Sequence, residues 1–256
     1  MRAGSKSGPV TDRVEGLLLG LAAGDRNGGP TRMAVRLAES LVHRGEVDVD
    51  DMAGRYLDWW HDGAFDTGPT AAAVFALVDS GLPFRAAARL VHVESGGQTA
   101  GCNPAHRAAP LAMMPGLDRK QLAEYARLEA ALTHYDSLAG DVAAAVVVMC
   151  SELVGGAAWE DAVETARAGV EPETSAALMN RDPASLRSGG FGPDALAAAV
   201  HFVGQGDTFE SAPNASLRFA GPANYCPVLV GSLGGARWGA SGVPDSMLEH
   251  CDMDES

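Results

Sequence analysis

The sequence has few cysteines, few aromatic residues and no hydrophobic run long enough to cross a membrane. Aromatic residues make up 6% of the 256, and the four cysteines, at positions 102, 150, 226 and 251, include no CxxC pair. This spacing argues against a zinc ribbon or a dense disulfide framework, so we expect reduced thiols. The apolar run at 17–23 is far shorter than the ~20 residues of a spanning helix, and the N-terminus lacks a signal-peptide pattern. We therefore expect a soluble, cytoplasmic protein with no membrane partner.

Positive charge is also scarce. The 19 Lys and Arg residues stand against 33 Asp and Glu, which gives a net charge of −14 at pH 7. This is the wrong sign for a protein that binds phosphate backbones by counterion release, so we expect no nucleic-acid partner. The composition is 46% hydrophobic and 20% charged, enough for a chain of this length to bury a sizeable core. Disorder is excluded as the main state.

Apolar residues recur at helical rather than strand spacing. Residues 33–42 place them at i, i+4 and i+8, and the pattern ends at Gly45, a common helix terminator. Prolines at the start of two Ala-rich runs predict helices over 68–80 and 193–205, because proline fits the first helical turn. Residues 143–149 include three consecutive valines, but their Ala-rich flanks favour a buried helix over a strand.

No linker or charge block divides the chain. We therefore predict one all-α domain over 11–250, with loose tails at 1–10 and 251–256. Within it, two segments carry glycines four residues apart: Gly16, Gly20 and Gly24, and Gly231, Gly235 and Gly239. Such a stripe lets another backbone approach a helix closely, either in tight helix packing or against a ligand or loop.

Seven segments between 14 and 243 carry short motifs in a fixed order. They are EGLLLGLAAGD at 15–25, MAVRLAESL at 33–41, FDTGPT at 65–70, GCNPAHRAAP at 101–110, THYDSLA at 133–139, FGPDALAAA at 191–199 and GSLGGARWG at 231–239. Together they resemble the ADP-ribosylglycohydrolase family, whose motifs include GxxxGxAxGD, FDxGxT, GxGxxMRxAP and THxxxxA. The resemblance implies a compact, single-domain orthogonal helix bundle of that family's type.

The resemblance also implies a chemistry, namely hydrolysis of a glycosidic bond at the anomeric carbon of ADP-ribose with two magnesium ions between the helices. Hard divalent ions of this kind need clustered oxygen ligands. The family supplies them from a TDDT motif before its second helix and a DxDT motif before its last Gly-rich helix.

This chain departs from the family at both motifs. Gly28, Gly29, Pro30 and Thr31 align with TDDT, and Pro222, Ala223, Asn224 and Tyr225 align with DxDT. Only Arg26 and Asn27 separate Asp25 from Gly28, so the segment that carries the family's catalytic glutamate is deleted. We therefore predict no metal site and no cofactor.

Polar residues remain at or beside the family's site positions, and we expect the loops that carry them to converge on one cleft. The predicted catalytic residues are Asp66, His106 and Asp25. The predicted substrate-binding residues are Asn27, Thr31, Arg32, Asn103, Arg107, His134, Asn224 and Tyr225.

Each role has a chemical basis. Arg107 and Arg32 would hold phosphate, since a guanidinium offers paired donors to phosphate oxygens. Asp66 or Asp25 would stabilise an oxocarbenium-like centre or activate water, with His106 or His134 as the proton donor. Structural alternatives stay open, because Asp25 and Asp66 are also typical helix caps and the histidines and Arg107 can simply anchor loops.

Three functions fit this pattern. The first is a metal-independent enzyme that acts on an N-glycosidic bond of a ribosyl or nucleotide-like small molecule. The second is a noncatalytic relative that binds ADP-ribose, a nucleotide or a protein. The third is an interaction protein that keeps only the fold, which the polar lining disfavours. The shortened N-terminal region leaves an oligomer possible, because it can expose an apolar face that another subunit covers.

Overall fold

The computed structural model describes residues 9–26 and 28–249. In these ranges the chain forms thirteen α-helices and no β-strand beyond a single isolated bridge, which confirms the all-α prediction. The helices are α1 (Pro9–Asp25), α2 (Gly29–Arg44), α3 (Val49–His61), α4 (Pro69–Asp79), α5 (Phe84–Glu94), α6 (Asn103–Arg107), α7 (Arg119–Ala130), α8 (Ser137–Val154), α9 (Trp159–Arg167), α10 (Pro172–Met179), α11 (Gly192–Gln205), α12 (Ser211–Ala220) and α13 (Tyr225–Trp238).

The first helix begins earlier than the sequence predicts. Pro9 and Val10, which were expected in a loose tail, form the first turn of α1, where proline is tolerated because its missing N–H has no helical partner. Residues 1–8 and 250–256, which hold the rest of both predicted tails and Cys251, lie outside the described residues.

The predicted helix at 33–42 is confirmed as the central part of α2. It ends at Gly45, whose φ of 69° is left-handed and whose N–H donates to the Leu41 carbonyl oxygen. It begins at Gly29, before the apolar pattern starts, because the first turn contains glycine and proline and carries no periodic signal. The predicted helices at 68–80 and 193–205 are also confirmed, as α4 and α11.

Helix α8 forms the centre of the core. Residues 139–150 are all buried, and α8 packs against α7, α9, α11 and α13. Among the helices in the described part of the chain, α8 alone is long and apolar enough to cross a membrane. However, 78% of it is buried inside the protein. The helical interpretation of residues 143–149 is therefore confirmed, and their unbroken apolar character reflects burial on all sides.

The two glycine stripes meet each other. Helices α1 and α13 pack together along their length. A methyl group on Gly20 would stand 2.2 Å from the Gly231 carbonyl oxygen, and one on Gly235 would stand 1.9 Å from the Gly16 carbonyl oxygen. The stripes thus serve close helix packing, which fixes the end of α1 beside the start of α13.

A short extended contact brings the start of α6 to the start of α11. The Cys102 N–H donates to the Gly190 carbonyl oxygen at 3.0 Å, and the Gly192 N–H donates to the Ala100 carbonyl oxygen at 2.8 Å. Helix α13 also contacts α6 and α11. As a result, α6 lies beside the N-terminus of α13.

Candidate functional site

Four segments of the chain meet around a cavity of about 420 Å³. They are the junction of α1 and α2, the loop between α3 and α4, helix α6, and the N-terminus of α13. Six of the predicted site residues line this cavity: Asp25, Asp66, Asn103, His106, Asn224 and Tyr225. The expected convergence of these loops therefore holds for about half of the predicted residues.

Asp25 is the last residue of α1 and is held by three hydrogen bonds. Its Oδ2 accepts from the Thr31 N–H at 2.8 Å and from the Thr31 hydroxyl at 2.6 Å, and its Oδ1 accepts from the Asn224 amide at 2.9 Å. Asp25 thereby caps the first turn of α2, where Gly28 at the N-cap has no side chain to do so. Burial raises the pKa of Asp25, and the hydrogen bonds partly oppose that effect.

Asp66 lies in the loop before α4 with a backbone φ of 50°, in the left-handed region that non-glycine residues rarely adopt. It is exposed, and its Oδ2 accepts from the Asn224 amide at 3.1 Å. Asp66 is not the N-cap of α4, because Gly68 occupies that position. Asn103 fixes the loop from α6, since its Nδ2 donates to the Thr67 carbonyl oxygen at 2.9 Å.

One amide therefore bridges two carboxylates. The Asn224 nitrogen lies 2.9 Å from Asp25 Oδ1 and 3.1 Å from Asp66 Oδ2, so these two oxygens are no more than 6.0 Å apart. Since carboxylate oxygens only accept hydrogen bonds, the NH₂ end of the amide must face them. Asn224 occupies the N-cap of α13, where its backbone is held by the helix that follows.

Gly28 and Gly29 pack closely against Asp66 and its neighbours. A methyl group on Gly28 would stand 2.7 Å from Asp66 Oδ2 and 2.9 Å from Asp25 Oδ1. One on Gly29 would stand 2.4 Å from the Phe65 carbonyl oxygen. The loop that carries Asp66 therefore fills the space that side chains at 28 and 29 would need.

His106 lines the cavity, and its ring is hydrogen-bonded to the backbone. Its Nε2 is 2.7 Å from the Tyr225 carbonyl oxygen, which can only accept, so Nε2 carries the hydrogen. Burial lowers the pKa of His106 to about 4, so the ring is neutral near pH 7. The predicted role of His106 as a proton donor is not supported, because its N–H already holds the start of α13.

Arg107, predicted to hold phosphate, instead lies in the core. Its guanidinium donates to Glu129 Oε1 at 2.6 Å and to the Thr133 hydroxyl at 2.9 Å, and the Arg107 side chain is 1% exposed. Tyr56 also donates to Glu129 Oε1, at 2.8 Å. Arg107 is adjacent in sequence to a cavity residue, but its side chain points away from the cavity into a buried ion pair.

Three more of the predicted residues, Thr31, Arg32 and His134, do not line the 420 Å³ cavity. His134 lines a different cavity of about 920 Å³ beside α5 and α7, and burial lowers its pKa to about 3, so the second predicted proton donor is also neutral. The Thr31 hydroxyl donates to Asp25 Oδ2, but Thr31 itself does not line the 420 Å³ cavity. Arg32 is half-buried and also does not line it. Asn27 lies outside the described residues.

Sequence reasoning missed Arg26, which lines the cavity and donates to the Pro222 carbonyl oxygen at 3.4 Å. Arg26 has a φ of 57°, and it and Asp66 are the two non-glycine residues with positive φ among those the structure describes. Both lie at this cavity, and strained backbone of this kind concentrates at functional sites. The adjacency of Arg26 to Asp25 was the one available sequence signal.

The chain belongs to the ADP-ribosylglycohydrolase family, whose sequence model matches residues 7–256. It is 24% identical to the ADP-ribosyl-[dinitrogen reductase] glycohydrolase of Rhodospirillum rubrum, over 87% of this chain and 72% of that protein. It is also 24% identical to the ADP-ribosylarginine hydrolase Tri1 of Pseudomonas putida (strain GB-1), over 93% of this chain and 74% of that protein.

A solved structure supports the same assignment. The fold is similar to a chain of an ADP-ribosylglycohydrolase-related protein complex, with a TM-score of 0.75 and 25% identity, over 94% of this chain and 92% of the other. The bundle architecture that the motifs implied is therefore confirmed.

The side chains at this cavity do not fit the paired magnesium ions that the family implies. Magnesium needs several oxygen ligands with free lone pairs. Asp25 Oδ2 already accepts two hydrogen bonds and Oδ1 accepts one, so Asp25 has few lone pairs left to offer. Between Asp25 and Asp66 stands an NH₂ group, a donor that repels a cation. Within 9–26 and 28–249 no cluster of three or more His, Cys, Asp or Glu residues is placed to hold a metal.

Proposed function

We propose that this protein cleaves or transfers the N-glycosidic bond of a ribosyl or nucleotide-like small molecule without paired magnesium ions. The observation that supports this proposal most directly is the hydrogen-bonded group of Asp25, Asn224 and Asp66, which lines a polar cavity. The activities for which the two relatives are named, one on ADP-ribosyl dinitrogen reductase and one on ADP-ribosylarginine, support a ribosyl substrate.

Asp66 is the catalytic carboxylate in this proposal. Its Oδ2 is fixed by Asn224, while the side chain remains exposed at the cavity. A carboxylate so placed stabilises the positive charge that develops on the sugar ring and accepts a proton from the attacking water. The left-handed backbone at Asp66 is consistent with a side chain held in one functional direction.

Asp25 acts as a positioning residue. Its three hydrogen bonds tie the end of α1 to the first turn of α2 and to the start of α13. Because Asn224 bonds to Asp25 and to Asp66 together, the geometry of Asp66 depends on Asp25. Arg26, which lines the cavity, offers a guanidinium to an anionic part of the ligand, the role predicted from the sequence for Arg107 and Arg32.

The test is turnover in the presence of EDTA. Purified protein is incubated with NAD, ADP-ribose conjugates and nucleosides, and products are resolved by chromatography. We expect a product that is lost in Asp66→Asn and retained in Asp62→Asn, a matched change of an exposed carboxylate outside the cavity. A product that forms only when magnesium is added would refute the metal-independent mechanism.

One observation favours the noncatalytic alternative. Asp25 already has donors for both of its oxygens, so the cavity wall is ordered by the protein's own groups, as a receptor requires. Calorimetric titration with ADP-ribose separates the two functions. Micromolar binding without any product in the turnover assay would favour the receptor.

A further inference from the structure

Tyr225 brings an exposed aromatic ring to the 420 Å³ cavity. It is the one Phe, Tyr or Trp residue among the described residues that line this cavity, and it is 36% exposed. Small-molecule sites commonly combine aromatic side chains with a few well-placed polar groups. The chemistry proposed for Asp66 does not use the Tyr225 ring, so the ring is available for another role.

The backbone of Gly190 supports one face of this ring. A methyl group on Gly190 would stand 3.0 Å from Tyr225 Cε1, 3.2 Å from Cζ and 3.4 Å from Cδ1. An atom at the edge of a ring is much closer to one ring carbon than to that carbon's two neighbours. These three distances differ by no more than 0.4 Å, so Gly190 lies over the face of the ring. The opposite face is left for a ligand, since no ring or guanidinium of the described residues packs on Tyr225.

Hydrogen bonds fix both the ring's support and the backbone that carries the ring. The Gly190 carbonyl oxygen accepts from the Cys102 N–H at 3.0 Å. The Tyr225 carbonyl oxygen accepts from His106 Nε2 at 2.7 Å. Helix α6, which begins after Cys102 and contains His106, therefore holds Gly190 and Tyr225 together. A ring held in this way loses little conformational freedom when a ligand stacks on it.

Tyr225 is also next to the residue that holds the proposed catalytic carboxylate. Asn224, immediately before it in the chain, donates to Asp66 Oδ2 at 3.1 Å. Asp66 and Tyr225 line one cavity of about 420 Å³, which is within the range of about 300–1,000 Å³ for small-molecule sites. A small ligand that places a sugar at Asp66 can therefore place the group bonded to that sugar on the Tyr225 ring.

Resting on the proposed function, we infer that the substrates are N-ribosides of a planar heteroaromatic base, which stacks on the free face of Tyr225 while its sugar lies at Asp66. Every such base has a π-face, so stacking on an aromatic side chain tolerates changes at the edge of the base. Tyr225 thus selects a flat ring rather than one particular base. An alkyl leaving group has no such face.

The ring of Tyr225 orients the base and takes no part in the bond changes. In cleavage, the bond between the anomeric carbon and the base nitrogen breaks, and its electron pair leaves with the base. Water bonds to the anomeric carbon and gives a proton to Asp66, which returns it to solvent, and the base takes up a proton as it departs. Phenylalanine keeps the stacking face, so Tyr225→Phe should keep the function and Tyr225→Leu should lose it.

Calorimetric titration tests the stacking with AMP and ribose 5-phosphate, which share a sugar phosphate and differ by the base. Tyr225→Leu should weaken AMP binding about 10- to 100-fold and leave ribose 5-phosphate unchanged, whereas Tyr225→Phe should keep AMP binding within about twofold. Tyr135→Leu, which removes an exposed tyrosine that lines the 920 Å³ cavity instead, should alter neither.

A second pair of variants moves the ring without changing the lining of the cavity. Gly190→Ala places a methyl group 3.0 Å from Tyr225 Cε1, so the ring must shift towards the space of the base, and AMP binding should weaken roughly fivefold. Gly189→Ala is the matched control, because a methyl group on Gly189 meets nothing within 4 Å. Ribose 5-phosphate should bind equally to both variants and to the native protein.

The outcomes separate this inference from the proposed function. The stacking inference is overturned if the native protein does not prefer AMP to ribose 5-phosphate, if Tyr225→Phe loses as much AMP binding as Tyr225→Leu, or if both probes weaken equally. A product in the EDTA turnover assay then leaves the proposed function standing. Absence of turnover of every N-riboside overturns the proposed function, and the preference for AMP is then the measure of stacking alone.

Discussion

Replacing Asn224 with aspartate is expected to turn the bridge between two carboxylates into a third negative charge. In the native protein the Asn224 NH₂ lies 2.9 Å from Asp25 Oδ1 and 3.1 Å from Asp66 Oδ2. An aspartate in the same rotamer places an oxygen at those distances. Two hydrogen bonds become two repulsive contacts, so the Asn224→Asp variant should be unstable wherever all three groups are ionised.

The magnitude follows from those distances. Two unit charges about 3 Å apart repel by about 5.5 kcal/mol at an effective dielectric of about 20 and by about 1.4 kcal/mol in bulk water. Asp25 is buried and Asp66 is exposed, so the first contact is nearer the higher value and the second nearer the lower. Protonation and side-chain rotation relieve part of this repulsion, and we expect a net loss of about 2–4 kcal/mol at pH 7.5.

The pH dependence has a defined sign. Like charges raise the pKa of the new carboxyl in the folded state above its unfolded value. The destabilisation is therefore present at pH 7.5 and disappears as the pH falls below the unfolded pKa, near about 4. Urea unfolding at about pH 7.5 and about pH 4.5 measures this difference.

Divalent cations give an independent measurement. Three carboxylates form the oxygen cluster that Ca²⁺ or Mg²⁺ prefers, so millimolar cation should restore about 2 kcal/mol to the Asn224→Asp variant, or about 4–8 °C in Tm. Asn224→Leu, which removes the donor without adding charge, is the control and should not respond. The reasoning is refuted if the Asn224→Asp variant matches the native protein at pH 7.5, or if the native protein gains the same Tm from the cation.

Three further predictions test the fold and the electrostatics. Arg107→Met should cost about 3–5 kcal/mol in urea unfolding, because it removes the buried counter-charge of Glu129 and leaves the Tyr56 hydroxyl as its remaining hydrogen-bond donor. Gly20→Ala should cost more than about 3 kcal/mol in thermal unfolding because its methyl would stand 2.2 Å from a backbone oxygen, whereas Gly54→Ala, in open space on α3, should gain up to about 1 kcal/mol. The stability of the native protein relative to Asp25→Asn should fall as pH rises from about 4 to about 7, because the pKa of Asp25 is raised in the folded state.

The elements that the sequence predicts well are those set by near neighbours in the chain. The apolar period and Gly45 define α2, and an unbroken apolar run with Ala-rich flanks defines α8. The glycine stripes also predict a close helix contact, because glycines at i, i+4 and i+8 leave one face of a helix without side chains. In the structure the stripes of α1 and α13 pack against each other's backbone.

The site is predicted less completely because its contacts join distant parts of the chain. Asp25 caps α2 six residues away, and that interpretation was available from the sequence. Arg107 and His106 are adjacent on the short helix α6, yet one pairs with Glu129 in the core and the other holds the Tyr225 carbonyl oxygen. Sequence spacing alone does not tell which way each side chain of a five-residue helix points.

A single substitution at Gly28 or Gly29 is not expected to restore the carboxylates of the family's TDDT motif, with which residues 28–31 align. Gly28 and Gly29 face the loop at 65–66 so closely that any side chain meets a carboxylate oxygen at one position and backbone oxygens at the other. Since backbone atoms cannot move aside cheaply, Gly29→Asp should unfold the protein at lower temperature rather than create a cation site. The loss of side chains at 28 and 29 and the position of Asp66 therefore form one arrangement, and a carboxylate ligand at 28 or 29 requires the loop at 65–66 to move as well.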